Sequence, residues 1–295
     1  MYPLGRAARF FLVIIFSFFI LLLHSIDKRQ TYARLQLIDV TSGWYHHAES
    51  SQDKYPFFGK RGEKDFDICK QTYGVEFQRH SEYSSHKVFE NLHLNSESFV
   101  IEVGGFKGEL MRELFQLYDI GLYVTVEPVW QYYKVLISKL KHLPQGKIQA
   151  HNIGLGAKDD KIQVKPAGNR TSSFGKQRLQ EEFGKNGNES EQMADLSIRS
   201  VERFFQDMGI GGEDQLDLLI LDCEGCEYDV LDYLLKSPDV LHYIRVIMFQ
   251  SHKFKGHRKE LVRKYCTYQQ LLPLTHEIQF QNKFSWEVWT LRNKM

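Results

Sequence analysis

The sequence predicts an α/β protein built on a doubly wound, mostly parallel seven-stranded sheet with a C-terminal antiparallel hairpin. Three observations predict it. Short apolar runs alternate with helical repeats from Ser98 onward. The first run, FVIEV over Phe99 to Val103, passes directly into Gly104, Gly105 and Gly108, and a helical pattern starts at Glu109. Two β-patterned runs end the chain, joined by the short link Gln281-Asn282-Lys283.

The elements follow in order. Phe99, Val100, Ile101 and Val103 are apolar without alternation, as in a strand buried on both faces. The helix after the glycines places Leu110, Leu114 and Leu117 on one face. Leu122 to Val126 is the second strand and ends in Glu127-Pro128. Val129, Tyr133, Leu136 and Leu140 recur at helical spacing. Lys147 to Ile153 reads as a third strand and Lys161 to Val164 as a short extra one. Residues 166–197 are rich in Gly, Asn, Ser, Glu and Lys and read as an exposed insertion. Val201 to Met208 is helical. Leu216 to Leu221 is a strongly apolar fourth strand ending at Asp222. A helix over Tyr228 to Leu235, a fifth strand over Ile244 to Phe249 and a helix over Lys259 to Leu272 follow. Glu277 to Phe280 and Trp286 to Leu291 form the closing hairpin.

Composition sets outer limits. The 295 residues are 42% hydrophobic with a formal net charge of +1. That suffices for one sizeable domain with appendages. A near-neutral balance gives no expectation of a nucleic-acid partner, which calls for a clear basic excess. Residues 10–23 are apolar apart from Ser17, with Arg6 and Arg9 before them and Asp27, Lys28 and Arg29 after. No small-residue cleavage site follows. The expected organisation is a cytoplasmic tail at 1–9, a signal anchor at 10–26, a stem and lead-in at 27–95 and the folded domain at 96–295. The chain is then a single-pass type II membrane glycoprotein of the secretory pathway, in the Golgi or ER lumen, or is secreted if the apolar segment is a cleaved signal. Sequons at Asn169 and Asn188 agree with a lumenal domain. Four cysteines, Cys69, Cys223, Cys226 and Cys266, are too few for a disulfide scaffold. Cys223-Glu224-Gly225-Cys226 matches a redox C-x-x-C formally. Its surroundings do not resemble a thioredoxin unit, and two small residues flanking a turn is the expected reading.

The residues that carry chemistry stand at strand ends, where open parallel sheets bind ligands. A glycine turn lets backbone approach a ligand closely, and the helix behind it offers free N–H groups. Glu102, Gly104, Gly105 and Gly108 are placed there. Glu127 ends the second strand, where a carboxylate can accept both hydroxyls of a ribose. Asn152 and Gly154 lie near the end of the third strand, where an adenine edge could meet backbone. Asp222, Glu224 and Glu227 cluster after the fourth strand, and His252 follows the fifth. Glu224 and Glu227 also suit the first turn of a helix, where the dipole favours acids. No further His or acid in the sequence completes a convincing metal set around Asp222 and Glu224. The stretch HKFKGHRKELVRK, 252–264, is basic at a helix start, which an anionic acceptor would relieve.

Taken together, IEVGGFKG, VTVEP, HNIGLG and LLILDCEGCEYDVL resemble, in this order, the FkbM-type family of S-adenosylmethionine-dependent methyltransferases. VIMFQSH resembles the family's fifth strand, and Trp286, Trp289 and Arg292 its closing hairpin. The likeness covers roughly residues 98–292. Glu102 stands where aspartate is more usual, Phe106 where a small or amide residue is common, and Gln250 where an acid is often found. The resemblance implies a class I, Rossmann-like methyltransferase fold. It also implies an S-adenosylmethionine site over Gly104, Glu127 and the loop after the third strand, and a hydroxyl acceptor on a glycan, lipid or small molecule. Asp222, Glu224 and His252 are then the candidates for base or acceptor positioning, and Asp222 also borders the cofactor. A cofactor-fold protein without catalysis is the alternative. A nicotinamide enzyme is further off, because Gly104, Gly105 and Gly108 do not make G-x-G-x-x-G.

Overall fold

The structure, a computed structural model, describes residues 67–74, 89, 92–144, 146–164, 194–212, 215–254 and 256–292. The chain divides into two units, Met1–Ile68 and Cys69–Met295. The expected tail, the anchor and both sequons lie outside the described residues, and of the expected stem and lead-in at 27–95 only residues 67–74, 89 and 92–95 are described. Among the described residues no helix is long and apolar enough to cross a membrane.

The second unit is organised by β1 (Phe99–Val103), β2 (Leu122–Val126), β3 (Ile148–His151), β7 (Leu216–Leu221), β8 (Ile244–Gln250), β9 (His276–Gln281) and β10 (Trp286–Leu291). They form one sheet in the order β3-β2-β1-β7-β8-β10-β9. β3, β2, β1, β7 and β8 pair in parallel, while β10 pairs antiparallel with β8 and with β9. In register, Val103 lies beside Val126 on one side and Leu221 on the other. The carboxyl ends of the three central strands therefore finish together, and the chemistry-bearing residues sit just past that line.

Both faces of the sheet are covered, which is why these strands lack polar alternation. Ile101, Val103, Val124, Leu219, Leu221, Ile247 and Phe249 face one core. Val100, Tyr123, Leu218, Ile220, Val246 and Met248 face the other. From Phe99 onward the α-helices among the described residues are α1 (Glu109–Leu117), α2 (Trp130–Leu140), α3 (Val201–Asp207), α4 (Cys226–Lys236), α5 (Pro238–Leu241) and α6 (Arg258–Leu271). α4 buries Val230, Leu231 and Leu234 against the first core, each contributing about 1.5–3 kcal/mol. Phe89, Leu92 and Leu94, before β1, belong to the second core. Cys69 is disulfide-bonded to Cys266 of α6 across a sequence separation of 197 residues. Both half-cystines are buried.

Three expectations are corrected. In α1 the buried residues are Met111 and Leu114, while Leu117 is half exposed, so the buried stripe is offset from the expected leucine face. The third strand stops at His151, and the Asn152 side chain instead donates to the Glu127 and Pro128 carbonyls just past β2. The chain then re-enters a second sheet, ordered β4-β6-β5, made of β4 (Gly154–Gly156), β5 (Asp160–Val164) and β6 (Ala194–Ser200). Residues 194–200 are thus strand, although they fall largely in the expected insertion. Ala194 and Leu196 are buried through their alternation, and Ser200 ends the strand by capping α3.

Candidate active site

A cavity of about 130 Å³ opens at the carboxyl ends of β1, β2 and β7. One wall is the glycine turn with Gly104 and Phe106, another is Glu127 to Val129, and the third is Asp222 to Glu224. Leu155, Ile198 and Gly154 of the second sheet close one side.

The glycine turn is tight for steric reasons. Gly104 has φ +97, and a β-carbon there would lie 2.0 Å from the Asp222 carbonyl oxygen. Only glycine lets β1 pass so close to the end of β7. Both Gly104 N–H and Gly105 N–H donate to the Val126 carbonyl at 3.0 Å. Gly108, also left-handed, is the N-cap of α1.

Glu127 ties this turn to β2. Its Oε2 accepts the Phe106 N–H at 2.8 Å and its Oε1 the Val129 N–H at 2.8 Å. Each oxygen keeps a second lone pair, and the residue lines the cavity. Burial pushes its carboxyl up to about 7, against the two N–H donors, which lower it. The carboxylate at the end of β2 is therefore at the expected place, but buried. The Phe106 ring packs edge-on against Tyr132, with centroids 4.7 Å apart, and both line the cavity. Lys107 Nζ stands 4.8 Å from the Phe106 ring centroid.

The acidic wall is a cluster around His252. The imidazole Nδ1 lies 3.0 Å from Glu227 Oε1, and Nε2 lies 3.3 Å from Glu224 Oε1 and 3.4 Å from Asp222 Oδ1. Burial alone would lower the imidazole pKa. The Glu227 and Glu224 carboxylates override it and hold the ring protonated well above its usual range. Burial raises the Asp222 carboxyl to about 6, against the pull of His252 and with a push from Glu227 and Glu224. Among the described residues no cluster of His, Cys, Asp and Glu is arranged to hold a metal ion.

Asp222, Glu224 and His252 thus come together as expected, and Asp222, Gly104, Glu127 and Gly154 line the cleft. Four expected cofactor residues do not. Glu102 is fully buried on the far face of β1, where its Oε2 accepts the Thr125 hydroxyl at 2.9 Å. Burial lifts its carboxyl to about 8, against the hydrogen bond from Thr125. Gly105 and Gly108 shape the turn behind the wall, and Asn152 Nδ2 donates to the Glu127 and Pro128 carbonyls at 2.8 and 3.0 Å. The expected turn at Cys223 and Cys226 is real but cross-linked, because the two form a disulfide. Glu227 was expected in the acidic cluster after the fourth strand, or as a helix-start acid, but not among the catalytic candidates. It is fully buried and is the main partner of His252, and its Oε2 accepts the Gly225 N–H at 2.8 Å. The spacing of an acid three residues after Glu224 was the available signal. In the basic stretch, Arg258 donates to the Gly74 carbonyl and Lys264 Nζ to Asp232 Oδ2 at 2.5 Å, so two of its cations are engaged within the fold.

A seven-stranded sheet in this order, with one antiparallel strand near its end and a cleft beyond β1, β2 and β7, defines a class I methyltransferase fold. The family model described as the methyltransferase FkbM domain matches residues 102–278, and the chain belongs to this family of S-adenosylmethionine-dependent methyltransferases. Among solved structures it is similar to the FkbM methyltransferase of Methylobacillus flagellatus, with 12% identity and a TM-score of 0.46 over 78% of this chain and 59% of that one. It is also similar to an O-methyltransferase from Bacillus cereus solved with SAH, with 9% identity and a TM-score of 0.40 over 78% of this chain and 91% of that one. A Streptomyces achromogenes O-methyltransferase of tomaymycin synthesis, solved with SAM, shows 12% identity and a TM-score of 0.38 over 78% of this chain and 90% of that one. No relative is found among curated proteins.

Proposed function

We propose that this chain methylates a hydroxyl group of a small molecule, lipid or glycan. One observation carries the reading: Glu127 and Asp222 stand on different walls of one cleft, joined by a glycine turn that tolerates no β-carbon. The cleft suits S-adenosylmethionine. Glu127 presents lone pairs to ribose hydroxyls, and Gly104 admits backbone-close approach. When bound, the cofactor supplies an electrophilic methyl group. The chain's own residues then orient the acceptor and take its proton.

Asp222 is the proton acceptor in this reading. Its carboxyl, raised toward neutrality, lines the cleft, and Glu224 beside it orients the incoming hydroxyl. His252 is a positioning cation rather than a base, since three carboxylates hold its proton. Lys107, over the Phe106 ring of the cleft wall, is a cation available to an anionic acceptor. Two disulfides support an oxidising compartment, in line with a secretory-pathway protein held by the apolar segment at 10–26 or secreted after its cleavage.

The test is transfer of labelled methyl from S-adenosylmethionine to panels of small molecules, lipids and glycans. Label on a hydroxyl is the expected result. Cofactor binding with no transfer across all panels would favour the non-catalytic binding protein.

A further inference from the structure

The Cys223–Cys226 disulfide stands inside the site just described, and nothing in the proposed chemistry uses it. We infer that this disulfide is a clamp that positions the Glu224 carboxylate against His252, and that a dithiol reductant releases it. The inference rests on the proposed role of the acidic wall.

The two bridged residues enclose Glu224 and Gly225 alone. Both adopt left-handed backbone, with φ of 53 and 118 respectively. Gly225 does so freely, but a glutamate in that region is held there by its surroundings. Two restraints are visible. Glu227 Oε2 accepts the Gly225 N–H at 2.8 Å, and the Sγ–Sγ bond joins both ends of the turn. The result is a Glu224 carboxylate 3.3 Å from His252 Nε2, on the wall of the cleft.

The same geometry makes the bond accessible. Cys223 is partly exposed at the cleft wall. Cys226 is the first residue of the eleven-residue helix α4. A dithiol's thiolate attacks the Cys223 sulfur from the cleft. The Cys223–Cys226 bond breaks, and Cys226 leaves as a thiolate at a helix N-terminus, where the dipole favours it. The reductant's second thiol then resolves the mixed disulfide, frees Cys223 and closes the reductant's own disulfide. Two electrons pass from the dithiol to the protein, and its two protons end on the cysteine thiols. Cys69–Cys266, by contrast, is buried at both ends. With the clamp open, Glu224 relaxes from its left-handed backbone and its carboxylate leaves Nε2, while Glu227 still holds Nδ1.

The experiment follows the His252 imidazole by NMR in the full chain with labelled histidine, its signal assigned by its loss in His252→Asn. It is titrated before and after mild dithiothreitol, and in a Cys223→Ser/Cys226→Ser variant. Iodoacetamide labelling identifies which cysteines have opened. The expected result is early labelling of Cys223 and Cys226 alone, with the imidazole midpoint falling by about one pH unit or more in both the reduced protein and the variant. If the variant does not fold, the reduced wild type decides. An unchanged midpoint after opening, native thiols at Cys223 and Cys226, or opening of Cys69–Cys266 first would each overturn the inference. S-adenosylhomocysteine titrated into the oxidised protein is the separate arm: absence of binding there contradicts the methyltransferase reading, not the clamp.

Discussion

Glu227 Oε1 accepts both the backbone N–H and the Nδ1–H of His252, each at 3.0 Å. One buried carboxylate oxygen therefore fixes the position and the ring orientation of the histidine, and turns Nε2 toward Asp222 and Glu224. The histidine is a charged strut between β8 and α4.

Its consequence for pH dependence is specific. With Asp222 as proton acceptor, turnover rises with pH through about 6, as that carboxyl ionises. The His252 cation lowers the Asp222 pKa, so His252→Asn shifts the rise to higher pH without abolishing it. Asp222→Asn lowers turnover by about 10²–10⁴-fold. A pH–rate profile of the three proteins, once an acceptor is known, checks both statements. A fully active Asp222→Asn with an inactive His252→Asn would reverse the assignment.

Glu102 makes the fold sensitive to alkali. Its carboxyl is raised to about 8 in the folded chain, so the folded state holds the proton more tightly than the unfolded one. The stability it contributes is complete below the unfolded pKa and is lost as pH rises through the folded value. Glu102→Gln, neutral at every pH, should gain roughly 3 kcal/mol relative to wild type between pH 5 and pH 8. Urea unfolding at the two pH values measures it. A difference that does not change with pH would show that Glu102 is not the buried acid described.

Gly104→Ala places a methyl group 2.0 Å from the Asp222 carbonyl oxygen, at a φ of +97. The atoms it would meet, in Asp222 and Cys223, are all backbone, so the strand ends must separate. A destabilisation of about 3 kcal/mol or more is expected, larger than an exposed Gly-to-Ala change. Near-normal unfolding midpoints for this variant would show that the turn is looser than it stands here.

The sheet was legible because β1, β2 and β7 are buried on both faces and read as mainly apolar runs, each broken by one polar residue, Glu102, Thr125 and Asp217. β4 was not, since Gly154-Leu155-Gly156 has almost no strand propensity and pairs only through β6. β6 was hidden by its position beside a polar stretch, though its alternation was present in ADLSIRS. In the site, strand-end position identified Glu127, Asp222, Glu224 and His252. It could not reveal that Glu102 points away from the cleft, because the two faces of a doubly covered strand look alike in sequence. Nor could it reveal Glu227, whose helix-start position had an adequate electrostatic explanation without a buried partner. Nor does strand-end position show the weight of Glu127 in folding: truncation leaves the Phe106 and Val129 N–H groups without their acceptor.

The central claim is that S-adenosylmethionine binds in the cleft against Glu127. Calorimetric titration of S-adenosylhomocysteine into wild type and Glu127→Ala tests it most directly, with thermal melts confirming that the variant is folded. The account predicts one site per chain in wild type, an affinity that rises with pH through about 7 as Glu127 ionises, and a loss of about 1–3 kcal/mol in the variant. No binding to wild type, or equal affinity for folded Glu127→Ala, would contradict it.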